Sequence, residues 1–142
     1  MTEPTGTVYD LVQNLPTINV RCYAGQPLEI TVPVLGASGT GVDVAGLEHV
    51  RAHIRTRYAD ELQLHEWDDT LGNAVLEGTP GGTDAAVVLT ASSAETALWQ
   101  AQWPRLDALW DVEVEDSTGE VHRLCAASRF TLLAEITRAP VA

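Results

Sequence analysis

The sequence predicts an all-β fold, an immunoglobulin-like antiparallel β-sandwich of about 7–9 strands with one short helix over residues 92–101. Three observations carry this. Apolar and polar residues alternate at period two through several short runs, as in half-buried strands. Turn chemistry rich in Gly, Pro, Asp and Asn punctuates those runs. One segment alone has a helix start signal. The 142 residues suit one domain with a real core. The division expected is an N-terminal arm over 1–15 and a single β-sandwich domain over 16–142.

The arm lies between Met1 and Pro16 and carries Val8, Tyr9, Leu11 and Val12. Four apolar residues are too few for a core of their own. They have no obvious partner within the chain, so they are candidate contacts to a neighbouring subunit. From Thr17 the text turns β, with TINVRCY, the turn AGQP and then LEITVPVL. There Leu28, Ile30, Val32 and Val34 alternate with Glu29, Thr31 and Pro33. Pro33 cannot donate to a ladder, which places this strand at an edge or at a bulge. GASGTG at 36–41 reads as a flexible connector. In HVRAHIRTR, Val50, Ala52, Ile54 and Thr56 oppose Arg51, His53, Arg55 and Arg57, again a half-buried strand. ELQLHEW and AVLEGT read as short strands around the turn DDTLGN, and AAVVLT at 85–90 as a buried strand.

The helix is marked by Ser92 with Glu95 three residues on, a capping-box pattern, and it is stopped by Pro104. WDVEVEDSTGEVHRL follows at 110–124. Its carboxylates, Asp111, Glu113, Glu115 and Asp116, raise the question of a cation site. Alternation answers it: Trp110, Val112 and Val114 share one face, while Asp111, Glu113 and Glu115 share the other. DSTG is turn chemistry and the chain returns as a hairpin strand. A calcium loop would gather its oxygens at a tight turn, and no D-x-D-x-D-G pattern occurs. SRFTLLAEITR supplies the last strand.

The formal net charge is −12, from 20 acidic and 8 basic residues, and every basic residue is Arg. Such a surface repels phosphate backbones, so no nucleic-acid partner is expected. No run of eighteen apolar residues exists, so no membrane span is expected, and the N-terminal stretch lacks the pattern of a secretory signal. Cys22 and Cys125 read as buried free thiols. His49, His53, His65 and His122 do not group with them at zinc-ligand spacing. No G-x-S-x-G, Walker loop, G-x-G-x-x-G or H-E-x-x-H is present. No catalytic residue, metal site or cofactor is therefore expected, and the chain reads as a non-enzyme. Trp67, Trp99, Trp103 and Trp110 read as core or rim packing, with an aromatic sugar platform as the competing use.

The order of segments adds a resemblance. AGQPLEITVPV leads to HVRAHIRTR, AAVVLT runs into SSAETALW, and WDVEVEDSTGEVHRL precedes the closing FTLLAEITR. This resembles an LtfC-like β-sandwich family of tailed-phage virion proteins, particularly of actinobacterial phages, and is similar to baseplate upper-protein N-terminal domains. Members pass from a "G-D/Q-x-L-x-I-x-V" strand to "LT-x-x-x-T-x-x-L", then to "W-D-L-E-V-x-D-x-x-G-x-V-x-R-L", and end near "V-T-R". The likeness spans residues 18–138, and the hairpin at 110–124 is its most specific part. Cys125 and Ala126 depart from it where the family often has a Gly-containing bulge, and the arm has no counterpart.

The resemblance implies a virion component, assembled in the host cytoplasm. Its partners would be the major capsid protein or other virion proteins, with the chain present as a homo-oligomer or in many copies. The acidity and the single small domain favour a head decoration protein on the outer capsid surface. A tail, tail-fibre or baseplate adaptor is the alternative, and a carbohydrate-binding β-sandwich module is the second.

Overall fold

A computed structural model describes residues 15–36, 40–56, 63–103 and 107–134. The strands are β1 (Val20–Tyr23), β2 (Leu28–Pro33), β3 (Leu47–Arg55), β4 (Gln63–Asp68), β5 (Ala74–Glu77) and β6 (Ala86–Ala91). Helix α1 (Ser93–Gln102) follows, then β7 (Asp107–Asp116), β8 (Val121–Arg123) and β9 (Ser128–Leu133). They form two sheets, one ordered β1-β9-β7-β3-β4 with β8 also on β7, the other β2-β6-β5. The expected all-β, immunoglobulin-like sandwich with one short helix is the fold observed.

The period-two pattern places the core between the sheets. Val50, Ala52 and Ile54 of β3 meet Val112, Val114 and Trp110 of β7, all buried. Val32, Val87 and Leu89 close the core from the smaller sheet. At its centre Trp67, Trp110 and Phe130 pack with ring centroids 6.2–6.5 Å apart. Helix α1 carries the chain from β6 of one sheet to β7 of the other. Ser92 accepts from the Glu95 N–H while the Glu95 side chain accepts from the Ser92 N–H, the capping box that the sequence announced. Thr96 and Trp99 face inward. The Thr96 hydroxyl accepts from Gly25 N and donates to Gln26 O, which ties the helix to the β1–β2 turn.

Three details differ from the sequence reading. The first strand begins at Val20, not Thr17, because residues 16–19 spend their polar groups on β7 and on the approach to β9. Pro16 O accepts from Ala126 N, Ile18 N donates to Ser128 Oγ, and Ile18 O accepts from Trp110 Nε1. Next, β1 pairs with β9 in parallel, so the sandwich is not antiparallel throughout. Finally, β8 and β9 lie along one edge of β7 as a broken strand, β8 beside Glu113–Glu115 and β9 beside Asp107–Trp110. The break at 124–127 holds Cys125 and Ala126.

Pro33 ends an edge strand, as expected. Val34 N donates to Ala85 O, so in alternating antiparallel pairing the even positions of β2 face β6. Pro33 then turns toward the open edge, where a missing N–H costs no ladder bond. Gly41 is required by space: a Cβ there would run into the backbone carbonyl of Thr83.

Candidate interaction face

The outer face of the larger sheet is where the charges of this chain are organised. Strand alternation turns Arg51, His53 and Arg55 of β3 outward, opposite their buried neighbours. Register then builds rows across the sheet. Asp68, Arg51, Glu113 and Arg123 stand side by side on β4, β3, β7 and β8. The next row holds Glu66, His53 and Asp111, and another holds Arg55, Leu109 and Arg129. Arg21 of β1 lies beside Thr131, which pairs in turn with Asp107. All five described arginines, Arg21, Arg51, Arg55, Arg123 and Arg129, are on this one face. The outer positions of the smaller sheet include Glu29, Thr31, Val75, Glu77 and Thr90, with no basic residue among those described.

Contacts within the face are graded. Arg51 Nη2 meets Glu115 Oε1 at 2.9 Å and its Nε lies 3.8 Å from Glu113. Arg123 lies 3.7 Å from Asp111, and His53 donates to Glu66 at 3.2 Å. His49 donates to Asp69 at 2.9 Å, and this bond with the adjacent negative charge pushes its pKa up. Half-exposed pairs of this kind add only about 0–1 kcal/mol each to stability. They fix charge positions on a surface far more than they hold a fold together, which is what specific docking uses.

A depression of about 160 Å³ sits in the middle of the face, lined by His53, Arg55, Leu109, Trp110, Asp111 and Arg123. It adjoins the break between β8 and β9, where Ala127 completes its wall. Apolar surface accompanies the charges, since Tyr23 is 59% exposed and Val121 50% exposed, both at outward positions. A recess among fixed charges, with exposed apolar side chains elsewhere on the same face, is a composition that protein-binding patches share.

The four carboxylates Asp111, Glu113, Glu115 and Asp116 divide. Asp111, Glu113 and Glu115 occupy the outer face as the alternation requires, half-exposed and beside arginines. Asp116 is different, for it is 1% exposed. One of its oxygens accepts from Thr118 N, Thr118 Oγ1 and Glu120 N, the other from His122 Nε2 at 2.9 Å. Burial pushes its pKa up, but the bonds from Thr118, His122 and the backbone outweigh that and hold it at about 2. In the sequence this Asp reads as one more turn former, and the signal of its burial is a His six positions on, across the predicted hairpin. Asp116, Glu120 and His122 bring ligand-type atoms within 4.8 Å of one another, as do Glu48, His49 and Glu115. In the first trio both Asp116 oxygens already accept hydrogen bonds, which accounts for the cluster without an ion.

The sugar-platform use of the tryptophans is corrected. Trp67, Trp99, Trp103 and Trp110 are all buried, none more than 7% exposed. Trp67 donates to Thr90 O, and Trp99 stacks on Trp103 at 5.0 Å. His65 packs against Trp67 and Trp99, and burial pushes its pKa down. Cys22 and Cys125 are free and buried, and burial pushes both thiols up, away from the reactive thiolate. Val8, Tyr9, Leu11 and Val12, the candidate contact residues, lie outside the described residues. No described helix is long and apolar enough to cross a membrane.

No family model matches the chain, and no curated protein matches it. Among solved structures, the first immunoglobulin-like domain of human CD48 antigen is similar with a TM-score of 0.39 and 10% identity, covering 89% of each chain. An immunoglobulin-like domain from a human cDNA gives 0.39 and 14%, covering 100% of this chain and 91% of that one. Murine CRIg gives 0.37 and 13%, covering 82% and 92%. Similarity at this level says nothing of partners or chemistry.

Proposed function

We infer that the chain is a non-enzymatic structural protein of a phage particle, an accessory added in many copies to the outer surface of the head. It docks on other virion proteins through the arginine-bearing face of its larger sheet. The observation that carries the docking face is the gathering of every described arginine of a −12 chain onto one side of one sheet. An acidic body whose described arginines stand among carboxylates on one face presents a fixed pattern of alternating charge there, and such a pattern orients a complementary partner as it approaches. The same charge disfavours the interior of a filled head, where DNA phosphates would repel the subunit. The virion setting itself rests on the segment order of the sequence.

The setting is tested by electron microscopy of particles of the encoding phage, labelled with gold-conjugated antibody against this protein. Gold over the heads in many copies is the expected result. Gold confined to tails would move the protein to the tail, and unlabelled particles would refute the virion assignment.

A further inference from the structure

A second surface lies on the other side of the break at 124–127. It is a groove of about 290 Å³ lined almost wholly by apolar side chains, among them Leu15, Ile18, Val32, Leu35 and Leu124. One wall belongs to β2, whose outer edge pairs with no described strand. By the alternation fixed at Val34, Glu29 and Thr31 turn their backbone N–H and C=O groups to that open edge. An open edge beside an apolar groove is the geometry that accepts an added strand, with main-chain bonds from the edge and side-chain pockets from the groove.

The sequence contains a segment that fits. Residues 8–12 read Val-Tyr-Asp-Leu-Val, which puts Tyr9 and Leu11 on one face of an extended strand. The point where this segment joins the domain is fixed, because Pro16 and Ile18 are held by Ala126, Ser128 and Trp110. Leu15 precedes a proline and is therefore biased to extended backbone. Leu15, Pro16 and Ile18 line the groove together with Val32, Pro33 and Leu35, so the described chain enters the domain at the Leu35 end of β2. To lie along β2 of its own domain, the segment would have to reverse direction within Gln13–Leu15, about 10 Å of extended chain.

We propose that the groove and the open edge of β2 bind residues 8–12 of a second copy of this chain as an added strand. Ordering the segment costs backbone entropy, and burying Tyr9 and Leu11 together with the main-chain bonds to the β2 edge offsets it. The exchange is near balance for one isolated pair and becomes stable where many copies are held side by side. The linkage runs through the groove and the β2 edge, whereas docking runs through the arginine-bearing face, which shares Arg123 with the groove, so the cross-linking can fail while docking stands.

The test is disulfide trapping between full-length chains. One batch carries Leu11→Cys and another carries Leu35→Cys, and the two are mixed under oxidised glutathione. A control mixture pairs Leu11→Cys with Val75→Cys, an exposed position on β5 at the far edge of the smaller sheet. The native Cys22 and Cys125 are buried in both. The expected result is cross-linked dimer forming at least about tenfold faster in the Leu35→Cys mixture, as a raised effective concentration requires. A chain carrying both Leu11→Cys and Leu35→Cys should then give dimers and longer oligomers. Equal rates in the two mixtures, or a monomeric internal disulfide in the doubly substituted chain at every dilution, would overturn the proposal.

Discussion

Trp110 joins three parts of the chain. Its ring is 2% exposed and sits against Trp67 and Phe130, while its Nε1 donates to Ile18 O. Replacing it with Ala should cost about 3–5 kcal/mol in urea denaturation, the range for large aromatic truncations in cores. A loss below about 1 kcal/mol would mean that the ring contributes little packing. Asp116 makes a separate prediction about acid. Its carboxyl is held at about 2 in the fold, against an ordinary value of 3.8. A depressed acid contributes stability that is full above the unfolded value and lost as pH falls toward the folded one. Melting temperature should therefore fall between about pH 4 and pH 2, and Asp116→Asn should flatten that limb while lowering stability at neutral pH. A variant with an unchanged acid limb would show that the Asp116 network is not what titrates.

At the scale of elements, Ser92 is the clearest lever. Ser92→Ala removes one half of the capping box and should lower stability by about 1 kcal/mol, seen in thermal melts followed by circular dichroism. No change would mean that the helix is held by Thr96 and Trp99 alone. The alternation of β3 and β7 was readable from the sequence because each strand buries one face, and the parity of Val50 to Ile54 and of Trp110 to Val114 records it locally. The parallel pairing of β1 with β9 was not readable, since nothing in VRCY or SRFTLL names its partner. The sharing of one β7 edge by β8 and β9 was hidden for the same reason. The outward parity of each arginine was visible strand by strand. That the strands bearing them belong to one sheet is a fact of topology, and only the fold supplies it.

On the whole-molecule scale, acidity and arginine placement act together. The pairs on the larger sheet are too exposed to matter much for stability, so altering them should leave the domain folded. Attachment to a partner should be sensitive both to these residues and to salt, because half-exposed charges are screened over about 8–10 Å at moderate ionic strength. For the proposed docking face the decisive measurement is co-sedimentation of purified protein with particles of the phage proposed to carry it, grown without it. The wild type is compared with Arg51→Glu plus Arg129→Glu on the larger sheet, and with Val75→Glu plus Thr90→Glu on the smaller one. All three should keep circular dichroism spectra of a folded domain. The arginine reversals should cut attachment by at least about tenfold, a coupling of roughly 1.4 kcal/mol or more, while the smaller-sheet variant attaches like the wild type. Attachment undiminished by the arginine reversals, or lost only in the smaller-sheet variant, would contradict docking through the arginine-bearing face.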